Sequence, residues 1–134
     1  MVEWLIKRGV PMVNAHVMAV RGRSTGQLRH TPVNPLVVDG TTYLVAPRGH
    51  VQWTRNLRAV KELELTKGRK VRRYTASEVP VADRPHILRT YRARFRLEVA
   101  KYFAGHGITA GSTEEDWLAV AHHYPVFVLA EQAG

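Results

Sequence analysis

The residues of this chain best suited to chemistry are arginines set beside glycine turns. Arg21, Arg23 and Arg29 surround Gly22-Arg23-Ser24-Thr25-Gly26. A second turn, Ala46-Pro47-Arg48-Gly49-His50, is followed by Trp53-Thr54-Arg55-Asn56-Leu57-Arg58-Ala59. Glycine lets backbone N–H groups turn inward and lets a ligand approach the main chain. The planar arginine fork bonds two oxygens of a phosphate or carboxylate at once. Two such turns and a helix start describe an anion-binding cleft.

Other chemistries find no residues to carry them. There is no cysteine, hence no disulfide framework and no thiolate nucleophile. The seven histidines form no metal pattern: His122 and His123 are adjacent and point different ways on a helix, and no His-Glu-x-x-His occurs. No Gly-x-Ser-x-Gly elbow or phosphate-loop spacing is present. Glu114, Glu115 and Asp116 read as helix-start residues rather than a carboxylate pair. His30 and His50 lie nearest the cleft and are candidate proton donors. Tyr91, Tyr102 and Tyr124 are candidate stacking or proton-donating groups, and core packing is the simpler role for each.

Charge points the same way as the turns. The chain of 134 residues carries a formal charge of +9. From residue 21 to residue 73 the acids are Asp39, Glu62 and Glu64, against a long series of lysines and arginines. Such a field concentrates anionic partners: nucleic acid, anionic lipid or a polyanionic cofactor. A solvated basic surface is the plain alternative. No apolar run reaches the ~20 residues of a membrane span, and no secretory leader is readable. With the absence of cysteine, this suggests a cytoplasmic chain.

The elements that must position these residues fit one domain, 1–134. Residues 1–11 predict a short amphipathic helix stopped by Gly9 and Pro11, which packs on the core or touches a membrane surface. Residues 12–81 predict strands. Val13 to Val20 is the first, and Leu28 to Val38 the second, with an edge or bulge at Pro32 and Pro35. Asp39-Gly40 signals a tight hairpin into Thr42 to Ala46. At 52–60 the period becomes helical, with Trp53, Leu57 and Val60 on one face. Glu62 to Thr66 alternates as a strand with one wet face, and Val71 to Val81 is another. Residues 83–134 predict, first, one long helix along Ile87, Leu88, Tyr91, Phe95, Val99, Tyr102 and Phe103. A second helix over Thr113 to His122 opens on a capping box in Ser112-Thr113-Glu114-Glu115, and Val126 to Leu129 is a closing strand.

Gly22 through Arg29, followed by Pro32, resembles the first signature of the deazaflavin-dependent nitroreductase family. Val45-Ala46-Pro47-Arg48-Gly49 resembles the second signature and Trp53 through Ala59 the third; the resemblance covers about Met12 to Lys67. It implies a mainly β, α+β fold: a split β-barrel with a long C-terminal helix packed alongside. The short first helix then reads as a trimmed version of a longer one. The implied cofactor is coenzyme F-420, in preference to FMN. Arg23, Ser24, Thr25, Gly26 and Arg29 would line its phosphate and tail end. Pro32 completes the first signature. Ala46, Pro47, Arg48 and Gly49 would form the turn over which the ring lies. Trp53 would pack near the cofactor, Asn56 would fix the short helix to the barrel, and Arg58 would face the phosphate. Pro47 stands where many members carry a hydroxyl residue, which leaves water, His50 or a tyrosine such as Tyr124 to supply the proton. Barrels of this family often dimerise, so a homodimer is one partner to expect, although no residue pattern here reads as its interface.

The function expected is an F-420-dependent oxidoreductase passing a hydride to a small-molecule electron acceptor: a quinone, a nitroaromatic or an activated enone. Two rival readings remain. A non-catalytic cofactor- or lipid-binding barrel would have the same turns. A small basic nucleic-acid-binding module would use the same charge, although the aromatic residues fall at core spacing rather than on a stacking platform.

Overall fold

Hydrophobic alternation and two tight turns account for most of the strands. The structure, a computed structural model, describes residues 16–133. Its strands are β1 (His16–Arg21), β2 (Leu28–Val33), β3 (Leu36–Val38), β4 (Thr41–Val45), β5 (Glu62–Lys67), β6 (Lys70–Glu78) and β7 (Val126–Glu131). In β5, Leu63 and Leu65 are buried while Glu62 and Glu64 are not, as the alternation predicts. Asp39 (φ 50°) and Gly40 (φ 79°) form the two-residue link between β3 and β4, with Val38 opposite Thr41. Positive φ at both central residues matches the turn to the strand twist. The predicted helix over 1–11 and the start of the predicted first strand lie outside the described residues.

The sheet is antiparallel throughout, in the order β2-β1-β5-β6-β7-β4-β3. The run expected as one strand from Leu28 to Val38 is therefore two strands on opposite edges. Asn34-Pro35 is all that separates them. In a flat sheet six strand spacings would hold the edges about 29 Å apart. The chain from Val33 to Leu36 spans at most ~11 Å. The sheet must curl until its edges nearly meet, which makes it a split barrel. Pro32 is tolerated because β2 is an edge strand.

Helix α1 (Gln52–Val60) packs over the curled sheet. Its Leu57 is fully buried with Met18, Leu44, Leu63, Leu65 and Phe127. The remaining helices are α2 (Pro85–Arg94), α3 (Arg96–Ala104) and α4 (Glu114–Val120). The predicted long helix is thus broken at Phe95, whose backbone (φ −117°, ψ 31°) leaves the helical region. Neither proline nor glycine lies there, so the usual local causes of a kink are absent. The aromatic core accounts for it. Phe103 lies 6.4 Å from Tyr91, 5.2 Å from Trp117 and 4.7 Å from Tyr124, ring centre to ring centre. Tyr91 lies 5.1 Å from Phe95. A straight helix over this length would run about 30 Å and carry Phe103 past that cluster. The predicted capping box exists one residue later: Asp116 N–H donates to Thr113 Oγ1 (3.1 Å) and Thr113 N–H to Asp116 Oδ2 (2.8 Å). Ser112 Oγ instead accepts from the Thr109 amide.

One buried cation joins sheet to helices. Arg84, 5% exposed, donates through Nε to Val79 O (2.8 Å) and through Nη1 to Ala121 O (3.2 Å) and Tyr124 O (3.3 Å). Its Nη2 meets Glu78 Oε2 at 3.2 Å. The fork thus satisfies three carbonyls from two segments as well as a carboxylate. Arg84→Ala should lower stability by about 3 kcal/mol, because the carbonyls lose their donor inside the core. Arg84→Lys should recover little, since an ammonium cannot reproduce the fork. Urea unfolding of both variants checks this. A loss below about 1 kcal/mol for Arg84→Ala would show that the tie is not needed.

Candidate functional site

The open seam of the barrel becomes a groove. Two adjoining cavities of about 520 Å³ and 630 Å³ share Thr31, Gln52 and Trp53. The first is lined by Arg23, Ser24, Thr25, Arg29, His30 and Asn56. The second runs past Pro32, Asn34, Ala46, Pro47 and Arg48 to Tyr91, Glu98, Val99 and Tyr102. The first two arginine–glycine turns therefore sit at opposite ends of one groove, with the start of α1 between them.

The basic end is preorganised. Arg23 N–H donates to Asn56 Oδ1 (3.1 Å), and Arg23 Nη1 donates to the same oxygen (2.7 Å) and to Gln52 Oε1 (3.0 Å). This fastens the turn to α1 and leaves Arg23 Nε and Nη2 without partners among the described residues. Gly22 and Gly26 shape the turn: Gly26 N–H bonds Gly22 O (2.9 Å), and a Cβ on Gly22 would stand 2.8 Å from Thr25 Oγ1. The amides of Ser24 and Thr25 donate to nothing among the described residues. Nor does α1 have a capping side chain or an acid in its first turn. Its Gln52 and Trp53 line the groove, so free amides and the positive end of the helix dipole are directed there.

The other end is apolar and aromatic. Trp53 serves core and groove together, its ring 6.0 Å from Phe127. Tyr102 is half-buried, with the Arg48 guanidinium 5.8 Å and the Lys101 ammonium 5.2 Å from its ring centre. Tyr91 is buried, and that burial, with Glu98's charge adding, pushes its hydroxyl pKa well up. Asn34 Oδ1 is buried without a hydrogen-bond partner among the described residues.

Of the residues singled out in the sequence, Arg23, Ser24, Thr25, Arg29, Pro32, Ala46, Pro47, Arg48 and Trp53 line the groove. Gly26 and Gly49 shape the turns without lining it. Gly49 (φ 92°) lets its turn approach His123 O, which a Cβ would meet at 3.3 Å. Arg58 does not join the groove. Its Nε and Nη2 clamp Glu78 at 2.7 and 2.8 Å and hold that carboxyl below the usual range, with Arg84 adding to the effect. His50 also lies outside: its Nε2 is 2.8 Å from His122 O. Tyr124 is 1% exposed and donates to Tyr102 O (3.1 Å), so it is a core residue and does not line the groove. Gln52, Thr31, Asn34 and Glu98 line the groove without having been singled out. Gln52 could have been found as an uncapped helix start; Glu98 could not, because the break at Phe95 sets its direction.

Comparison with known proteins follows this geometry. The sequence model of one family, described as F420H(2)-dependent quinone reductase, matches residues 5–111. No curated protein matches the chain. Among solved structures, an F420-H2 dependent reductase (FDR-A) is 21% identical with a TM-score of 0.61, over 87% of this chain and 94% of that one. A chain described as a domain-swapped dimer is 18% identical with a TM-score of 0.62, over 96% and 93%. The haem-storage protein HutZ of Vibrio cholerae is 11% identical with a TM-score of 0.60, over 90% and 83%. At these identities the structures share the fold, and the haem protein shows that one fold serves different ligands.

The buried tyrosine yields a prediction. Burial pushes the Tyr124 hydroxyl from 10.0 up to about 12. The folded state then keeps a proton that the unfolded chain releases above pH 10, so this stabilisation is present below pH 10 and is lost as pH rises through about 12. Urea midpoints from pH 8 to 12 should fall less steeply for Tyr124→Phe than for the unaltered chain. Equal slopes would place the hydroxyl in water.

Proposed function

The chain belongs to the F420H(2)-dependent quinone reductase family, and on that premise we propose that it reduces a quinone with a hydride from coenzyme F-420 held in the groove beside α1. Membership makes it an oxidoreductase with coenzyme F-420 as cofactor. The observation that carries the placement is the single groove with an anion-binding end and an aromatic end.

The residues present fit such a cofactor. Phosphate and tail oxygens meet the free Ser24 and Thr25 amides, the unused donors of Arg23, the Arg29 fork and the start of α1. Pro47, Trp53, Val99 and Tyr102 supply flat apolar surface for the ring, and the orphaned Asn34 Oδ1 suits a ring N–H. When bound, the deazaflavin supplies the hydride; the protein supplies binding, orientation and electrostatics. Pro47 offers neither hydroxyl nor N–H at the turn. His50 and Tyr124 are engaged elsewhere, so the product oxygen takes its proton from water or a group at the groove mouth. Quinones tolerate this better than nitro groups or enones, which depend on a placed donor. The domain-swapped relative supports a homodimer, which sedimentation velocity checks.

Titration with coenzyme F-420 and with FMN, followed by fluorescence, should show tighter binding of F-420. Arg29→Ala should weaken F-420 binding by about 1.5–3 kcal/mol, the size of a hydrogen bond to a charged group. Arg23→Ala should cost at least as much, because α1 loses its tether as well. Arg96→Ala, exposed on α3, should change nothing. Equal or tighter FMN binding would overturn the cofactor placement. In a second assay, anaerobic oxidation of reduced F-420 should be faster with soluble quinones than with nitroaromatics. Binding without acceptor-dependent oxidation would overturn the reductase reading.

A further inference from the structure

Among the described residues, Glu98 is the one acidic side chain lining either part of the groove. The other charged side chains on that wall are Arg23, Arg29 and Arg48, in a chain of charge +9. Yet the Glu98 carboxylate makes no hydrogen bond or ion pair among the described residues. Arg48 lines the same cavity but holds its guanidinium over the Tyr102 ring instead. Glu98 is half-buried in the first turn of α3. An acid there has an ordinary use, complementing the helix dipole. That use would leave the side chain capping an amide or pointing to water. The α3 start has no side-chain cap, and Glu98 faces the cavity wall.

Half-buried carboxylates without partners are costly, and a ligand can relieve the cost by donating a hydrogen bond or bringing positive charge. The same carboxylate repels a second anion more strongly than it would in bulk water. Its neighbours Tyr91, Val99 and Tyr102 lie at the end of the groove away from Arg23 and Arg29. On the placement proposed above, that is the end where ring and acceptor meet, and the inference rests on that reading. We propose that Glu98 sets the charge class of the acceptor. It receives a donor or cationic group of the acceptor and turns away acceptors carrying a carboxylate or sulfonate. The substrate is then a neutral or cationic quinone-type molecule, even though the rest of the groove attracts anions.

The test is an equilibrium one. Three naphthoquinones, one unsubstituted, one sulfonated and one bearing a trimethylammonium group, are titrated into the complex with oxidised F-420, and quenching of cofactor fluorescence is followed. Glu98→Gln should tighten the sulfonate relative to the cation by about tenfold, the size of one charge contact in a part-exposed site. Glu98→Lys should move the ratio further in the same direction. Salt should shrink the difference. The F-420 affinity should stay the same in all three proteins, which separates charge selection from damage to the cofactor site. A sulfonate-to-cation ratio that does not move with residue 98 overturns the proposal; pairing of Glu98 with Arg48 in solution would give that result. Repeating the titrations on cofactor-free protein, read by tryptophan quenching, keeps the two readings apart. A ratio that moves in protein unable to bind F-420 overturns the cofactor placement and leaves the Glu98 assignment standing. An unmoved ratio in protein that binds F-420 does the reverse.

Discussion

The short crossing at Asn34-Pro35 constrains everything else in this domain. It joins the two outermost strands of a seven-strand sheet, β2 and β3. No flat arrangement allows that, so the sheet rolls up. The two edges come close without pairing: among the described residues β2 bonds only β1, and β3 bonds only β4. An unpaired seam is normally a liability. Here Thr31 to Asn34 become part of a groove wall, and α1 packs beside them. The opening needed for a ligand is thus a consequence of how the barrel closes. The proline at the crossing costs no ladder bond, because it lies between strands.

Arginine acts in two physically different ways in the structure. Arg84 is buried and saturated by three carbonyls and Glu78, so it ties layers together and has nothing left to offer a ligand. Arg58 is likewise committed to Glu78. Arg23 is only half-committed: one nitrogen anchors α1 through Asn56 and Gln52 while the others face the groove. A guanidinium fixed by part of its fork has already lost its side-chain freedom, so ordering it costs less when an anion arrives. The net charge alone cannot separate these roles. Hydrogen-bond partners do.

The aromatic core connects fold to site. Phe103 gathers Tyr91, Trp117 and Tyr124 about it, and meeting that cluster requires the helix to break at Phe95. The break turns α3 so that Glu98, Val99 and Tyr102 wall the groove. Tyr124 is buried in the same cluster, where its hydroxyl donates to the Tyr102 carbonyl. Tyr102 and Tyr124 come from one cluster and have different exposures, so proximity to the cleft in sequence says little about which of them can meet a substrate.

The sequence by itself determined what local rules decide. Alternation in Glu62 to Thr66, the Asp39-Gly40 turn and the helical period at 52–60 all depend on neighbours within a few residues, and each appears where local chemistry puts it. The signature turns also contribute about half of the groove-lining residues, because glycine conformation and arginine chemistry belong to the residues themselves. Tertiary structure alone decided the rest. It split Leu28 to Val38 between two edges, because edge assignment depends on β1 pairing with β5 and β4 pairing with β7, far along the chain. It broke the long helix, because Phe103 has to meet Trp117 and Tyr124. It withdrew Arg58, His50 and Tyr124 from the groove by giving them Glu78, the His122 carbonyl and the Tyr102 carbonyl as partners. And it turned Glu98 inward. Side-chain direction is set by where a helix comes to rest, and that is a property of the packed core.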